Sequence, residues 1–128
     1  MRLLLDTNIA LWAITDDARL RRCATDLIAD PDNLVMVSAV NLWEIAIKHA
    51  LRREQMPVSA ADARRFFEES GYRLLSISPN HVIRVESLPP VHNDPFHRIL
   101  VAQAIEEGCH LLTRDATLPR YSDIVVPV

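Results

Sequence analysis

The chain has 128 residues, 49% apolar and 24% charged, an ordinary balance for a single globular domain. No run of about 18 apolar residues occurs, which excludes a membrane-spanning helix, and an apolar strand beginning at residue 2 leaves no place for a signal peptide, so the expected location is cytoplasmic. A net charge of −3 gives no general pull on nucleic acid, but every basic residue except Lys48 is Arg, which suits bidentate phosphate contact.

In chain order, Leu3-Leu4-Leu5 is a short, continuous apolar run that predicts a strand buried on both faces, ending in Asp6-Thr7-Asn8. Asn8–Ile14 has helical spacing, with Ile9, Trp12 and Ala13 on one face. Asp16-Asp17 reads as the start of a helix running from about Ala18 to Ala29, and Asp30-Pro31-Asp32-Asn33 as a turn. Leu34–Val37 is a second buried strand. Ser38 is placed to cap the following helix, which carries Asn41-Leu42-Trp43-Glu44-Ile45-Ala46-Ile47-Lys48. Ser59 opens a helix from Ala60 to Ser70, with Gly71 as its C-cap. Arg73–Ile77 is a third strand, and Pro79 starts a short helix to about Leu88. Asp94-Pro95 is a strong helix start, and Gly108 ends that helix. His110–Thr113 is a fourth strand with Arg114-Asp115 at its tip, and Ile124–Val126 a short fifth. Strands and helices alternate throughout. This predicts an α/β fold of one domain over residues 1–128, a mainly parallel sheet of about four to five strands with helices on both faces.

Sites in such sheets form outside the C-terminal ends of the strands. Asp6 and Asp115 sit at such ends, although each also has the placement of a simple cap for the turn or helix that follows. Glu44 lies among apolar residues on its helix. It either forms a surface pair with Lys48 four residues on, or points back over the strand ends with Lys48 offsetting part of an acidic cluster. Asp94 is fully explained as an N-cap, and His97 three residues later either turns toward the same cleft or occupies an exposed first turn. Carboxylates gathered in one place repel one another, and a hard divalent cation such as Mg2+ or Mn2+ relieves this. Such an ion polarises a water for attack on a phosphodiester. With four acids assigned to a metal, the net charge of −3 becomes +1 on the remainder, which leaves room for a basic rim.

Taken together, Leu4-Leu5-Asp6-Thr7-Asn8, Ser38…Trp43-Glu44-Ile45…Lys48, His92-Asn93-Asp94-Pro95-Phe96-His97-Arg98…Ala102-Gln103-Ala104 and Leu111-Leu112-Thr113-Arg114-Asp115 resemble the PIN-domain ribonucleases, and among them the VapC toxins of type II toxin–antitoxin modules. The likeness covers essentially the whole chain. It implies a PIN fold with the first strand in mid-sheet, Mg2+- or Mn2+-dependent endonucleolytic cleavage of RNA, inhibition by an antitoxin partner, and a homodimer. By position, Asp6, Glu44 and Asp115 match the family's acidic ligands, and Thr7, Asn8 and Thr113 the polar residues that support them. The departure is at His97, seven residues before Ala104, where the family usually carries its third acid. Either Asp94 takes over that role, or His97 binds metal through a ring nitrogen, which favours Mn2+ over Mg2+. A weakened site, binding RNA or antitoxin without cleavage, is the alternative.

Arg98 and Arg114 flank the site as candidate phosphate contacts, with a plain surface charge as the other reading. Arg52-Arg53 and Arg64-Arg65 read as solvated faces, and Trp12 and Trp43 as core or dimer contacts. Cys23 and Cys109 read as core thiols, and His92 has no recognisable partner pattern.

Overall fold

The run Leu3–Leu5 forms the middle strand of the sheet, and its three leucines are wholly buried. The computed structural model describes residues 1–128. In chain order its elements are β1 (Arg2–Leu5), α1 (Thr7–Ile14), α2 (Arg22–Ala29), β2 (Leu34–Ser38), α3 (Ala39–Leu51), α4 (Ala60–Glu69), β3 (Arg73–Leu75), α5 (Pro79–Val85), α6 (Pro95–Glu107), β4 (His110–Thr113) and β5 (Val125–Pro127). The sheet order is β3-β2-β1-β4-β5, and every neighbouring pair is parallel. An alternating strand–helix chain leads to this arrangement because parallel neighbours must be joined by crossovers.

Successive residues of β1 serve opposite faces of the sheet. Leu3 and Leu5 pack with Val35, Val37 and Leu112 against Ile9, Ala24, Ile45 and Phe67, so α1 to α4 cover one side. Leu4 packs with Met36 and Leu111 against Leu100, Val101 and Ala104 of α6 on the other. Each such leucine stabilises the fold by about 1.5–3 kcal/mol. No helix is long and apolar enough to cross a membrane.

Several boundaries differ from those expected from the sequence. The helix expected from Ala18 begins only at Arg22. Asp16 takes a left-handed conformation (φ 52°), and the Asp17 carboxylate accepts from Arg19 N and Arg19 Nη2 at 2.9 and 2.7 Å, which closes a turn where a helix was expected to start. The α5 helix stops at Val85, because Glu86, Ser87 and Leu88 bond carbonyls three residues back in a tightening turn before Pro89. The β3 strand ends at Leu75 instead of Ile77. The last strand is Val125–Pro127, with its proline on the outermost strand where no ladder donor is needed. Cys109 is buried as expected, but Cys23 is exposed on α2, whose one fully buried side is Ala24.

All strands being parallel, their C-terminal ends share one edge of the sheet. From β1 the sheet continues to β2 on one side and to β4 on the other, and this reversal of strand order is where open α/β sheets form their sites. The ladder runs on past the strand end, with Asp6 N donating to Leu112 O at 2.9 Å.

Candidate metal centre

Asp6 both caps α1 and faces the sheet edge, one oxygen for each task. Its Oδ1 accepts from Thr7 N at 2.8 Å, and its Oδ2 accepts from Thr113 Oγ1 at 2.7 Å. Asp94 divides in the same way. Oδ1 accepts from Phe96 N and His97 N at 2.9 and 3.4 Å as the cap of α6, and Oδ2 faces the His97 ring. Asp115 Oδ1 accepts from Thr117 N and Thr117 Oγ1 at 2.8 and 2.6 Å, and Oδ2 again turns inward. Each of these carboxylates thus caps a helix or turn with one oxygen and leaves the other facing His97.

The three inward oxygens surround one imidazole. His97 Nε2 lies 3.5 Å from Asp6 Oδ2, and His97 Nδ1 lies 3.5 Å from Asp94 Oδ2 and 3.6 Å from Asp115 Oδ2. Nδ1 is buried and makes no hydrogen bond. Burial would lower the pKa of this ring, but the hydrogen bond to Asp6 and the charges of Asp6, Asp94 and Asp115 outweigh it and hold the pKa at about 9. Burial likewise pushes the Asp115 carboxyl up, and the Thr117 hydroxyl and N–H, with the His97 and His92 charges, bring it below its ordinary value.

Glu44 reaches the cluster through Thr7. Thr7 Oγ1 donates to Glu44 Oε1 at 2.7 Å, and Lys48 Nζ pairs with Glu44 Oε2 at 2.5 Å. The i,i+4 pair foreseen as the plain reading is therefore present, but its carboxylate is buried beside the acids. An orphaned ring nitrogen facing carboxylate oxygens, with further carboxylates behind them, is a donor set that fits a divalent cation. None of the surface hollows is lined by Asp6, Glu44, Asp94, His97 or Asp115, while Lys48 lines a neighbouring one with Asn8 and Arg52.

The family model of the PIN domain matches residues 3–124. The chain belongs to the PIN domain family. Ribonuclease VapC22 of Mycobacterium tuberculosis is 30% identical over 116 residues, which cover 90% of this chain and 88% of the relative. Two solved structures share the fold. VapBC2 from Rickettsia felis, bound to a promoter DNA fragment, has a TM-score of 0.69 at 16% identity, over 100% of this chain and 98% of that one. A toxin–antitoxin complex from Klebsiella pneumoniae has a TM-score of 0.63 at 22% identity, over 97% and 95%. The protein is thus a VapC-like PIN domain.

Several supporting residues of this PIN domain differ from the sequence reading. Asn8, expected to steady the acids, is exposed and bonds none of them. Asn41 does that work. Its Nδ2 donates to Thr7 Oγ1 at 3.0 Å and to Leu5 O at 3.1 Å, while its Oδ1 accepts from Ser38 N at 2.6 Å in a capping box. The three-residue spacing from Ser38 was the available signal. His92 was also missed. Its Nδ1 accepts from Asp94 N at 2.9 Å, so the ring proton is on Nε2, which donates to Asp115 Oδ2 at 3.1 Å.

Arg98 is not free to hold phosphate as expected. Its Nη1 donates to Pro89 O and Tyr121 Oη at 3.0 and 3.1 Å, and its Nη2 to Val85 O at 3.2 Å, so the guanidinium clamps the loop that carries His92. Arg114 is exposed, lies 5.7 Å over the Trp12 ring, and donates to Arg19 O at 2.8 Å.

Proposed function

We propose that this PIN domain, read as one domain over residues 1–128, is a metal-dependent endoribonuclease acting as the toxin of a toxin–antitoxin pair. The observation that carries the reading is the approach of Asp6, Asp94 and Asp115 to the His97 ring at the C-terminal edge of the sheet, with Glu44 held nearby through Thr7. The name of the M. tuberculosis relative supports ribonuclease activity, and the two toxin–antitoxin complexes of like fold support an antitoxin partner.

In this reading Mg2+ or Mn2+ is held by Asp6, Asp94, Asp115 and His97, with Glu44 as a further acid. When bound, such an ion polarises a water and offsets charge on the phosphate. The chain's own residues prepare the site. Thr113 fixes Asp6 Oδ2, Thr7 fixes Glu44 Oε1, and both threonines are buried, so the carboxylates are held before RNA arrives. Lys48 Nζ, beside Glu44, is the nearest ammonium to meet a phosphate oxygen. Arg114 and Arg19 both lie over Trp12, at 5.7 and 5.1 Å, and form a basic, aromatic ledge for the strand to follow. Trp43, Ile47 and Leu51 on α3 and Val82 and Ile83 on α5 are exposed apolar side chains, suited to the antitoxin or to a second copy in a homodimer. A cytoplasmic location fits this role.

The test is cleavage of single-stranded RNA by the purified protein. Cleavage should need a divalent ion and vanish in Asp6→Ala, with circular dichroism confirming that the variant is folded. Cleavage that survives both Asp6→Ala and EDTA overturns the reading. The presence of His97 in place of the family's usual acid favours a second reading, a module that binds RNA or antitoxin without cutting. Calorimetry with no heat at millimolar Mn2+ would select it.

A further inference from the structure

We propose that the RNA strand leaves the acids on one side only, along a groove between α1 and the segment that follows α3, and that Asn8 and Gln55 there read the edge of one base. The inference rests on the ribonuclease reading above and adds to it the path of the strand and the source of a sequence preference.

Three observations carry it. The first is a continuous trough. Lys48, Arg52, Asn8, Gln55 and Met56 line a hollow of about 350 Å3. Asn8, Gln55 and Met56, with Leu11, Trp12 and Arg19, line a second of about 380 Å3. The three shared residues make the two hollows one groove, and each is of a size that accepts a small ligand. The groove meets the acids at two points. Lys48 Nζ pairs with Glu44 Oε2, and Arg114, next to Asp115, lies 5.7 Å from the centre of the Trp12 ring.

The second observation is the chemistry of the lining. The first hollow presents Lys48 and Arg52 and no acid. In the second, Asp17 is already paired with Arg19 at 2.7 Å. Cations of this kind on a rim track a phosphate backbone. Met56 and Leu11 give an apolar floor for a base face. Asn8 and Gln55 are exposed carboxamides, each with donors and an acceptor to match a base edge. Single-stranded RNA presents such edges unpaired. The same cations would attract an acidic peptide, but the groove begins at the acids, where the scissile phosphate lies and from which its strand must run. That favours RNA.

The third observation is the other side of the site. The hollow beyond Asp94 is lined by Trp43, Val82, Val85, Pro95 and Ile99, with Asn93 and a single cation, Arg98. The Arg98 guanidinium is spent on Pro89 O, Tyr121 Oη and Val85 O. A phosphate there would meet apolar side chains and no available charge, so the strand has one exit.

The experiment is fluorescence anisotropy of labelled single-stranded RNAs on the full-length protein, over a salt series, in EDTA to keep the strands uncut. The wild type should bind with affinities that depend on sequence. Arg52→Ala should weaken every strand alike and reduce the slope of log affinity against log salt by about 0.7. Asn8→Ala should keep that slope and shrink the spread among sequences by about fivefold or more. Arg84→Ala, on α5 where Arg84 pairs with Glu106, is the charge control and should change neither. A slope in Arg52→Ala equal to that of the wild type overturns the path and assigns the groove to a protein partner. A spread unchanged in both Asn8→Ala and Gln55→Ala, or no sequence dependence in the wild type, overturns the base-reading role. A wild type that binds no RNA overturns the groove and the ribonuclease reading together. RNA bound as expected but left uncut when Mn2+ is added overturns the ribonuclease reading alone.

Discussion

Between about pH 6.5 and pH 9 the metal-free protein should lose stability as His97 gives up its proton. The imidazole stands among Asp6, Asp94 and Asp115 at 3.5–3.6 Å, with the His92 ring edge-on at 5.0 Å. The carboxylates overcome burial and move its pKa from 6.5 to about 9. At 1.36 kcal/mol per unit, this shift corresponds to about 3 kcal/mol of folding stability. The folded pKa is above the unfolded one, so the contribution is complete below about pH 6.5, falls through the window, and is gone above about pH 9. Urea midpoints of EDTA-dialysed protein, followed by circular dichroism at about pH 6 and about pH 9.5, measure it, with His97→Gln as the control for every other group that titrates. The wild type should lose about 3 kcal/mol more than the variant over that range. Equal losses in the two proteins would refute the argument. Saturating Mn2+ should flatten the wild-type slope if His97 helps to hold the ion, because a metal on the ring excludes the proton.

Three further perturbations follow from the same contacts. Thr113→Val removes the donor to Asp6 Oδ2 and the acceptor for Asp115 N, both at a buried hydroxyl, and should cost about 2–3 kcal/mol by urea denaturation. The same variant should bind Mn2+ about 10–100-fold more weakly by calorimetry, and unchanged affinity would show that Thr113 does not hold the site. Leu4→Ala leaves a hole on the face of the central strand that packs against α6 and should cost about 2–5 kcal/mol by the same denaturation. Arg98→Ala should speed hydrogen exchange at the Leu88, Val91 and His92 amides while leaving β1 protected, and uniform protection would contradict the clamp.

The strands were legible because two-sided burial leaves a continuous apolar run, as in Leu3–Leu5 and Leu34–Val37. Caps were legible for the same local reason, since Ser38, Ser59 and Asp94 act on amides two or three residues ahead. The first helical turn after Asp17 was misread, because an Asp-x-Arg turn and a helix start share the same residue types. The long-range pairings were not legible from local spacing, although the family resemblance named Thr113 and Thr7 as supports of the acids. Asp6 meets Thr113 from 107 positions away, and His92 meets Asp115 across 23, so no local spacing marks either pair. By sequence Arg98 is a candidate phosphate contact or a plain surface charge, because a basic residue beside an acidic motif suggests the rim. Its actual partners are main-chain carbonyls, which carry no residue-specific signal in the sequence.

The most direct test of the central claim is the fate of an end-labelled single-stranded RNA given to the antitoxin-free protein after EDTA stripping. With Mn2+ restored, the account predicts internal cleavage by an activated water, giving ends that carry no 2′,3′-cyclic phosphate. Cleavage that proceeds in EDTA and leaves cyclic phosphate ends would mean that the RNA's own 2′-hydroxyl is the nucleophile, and would contradict it.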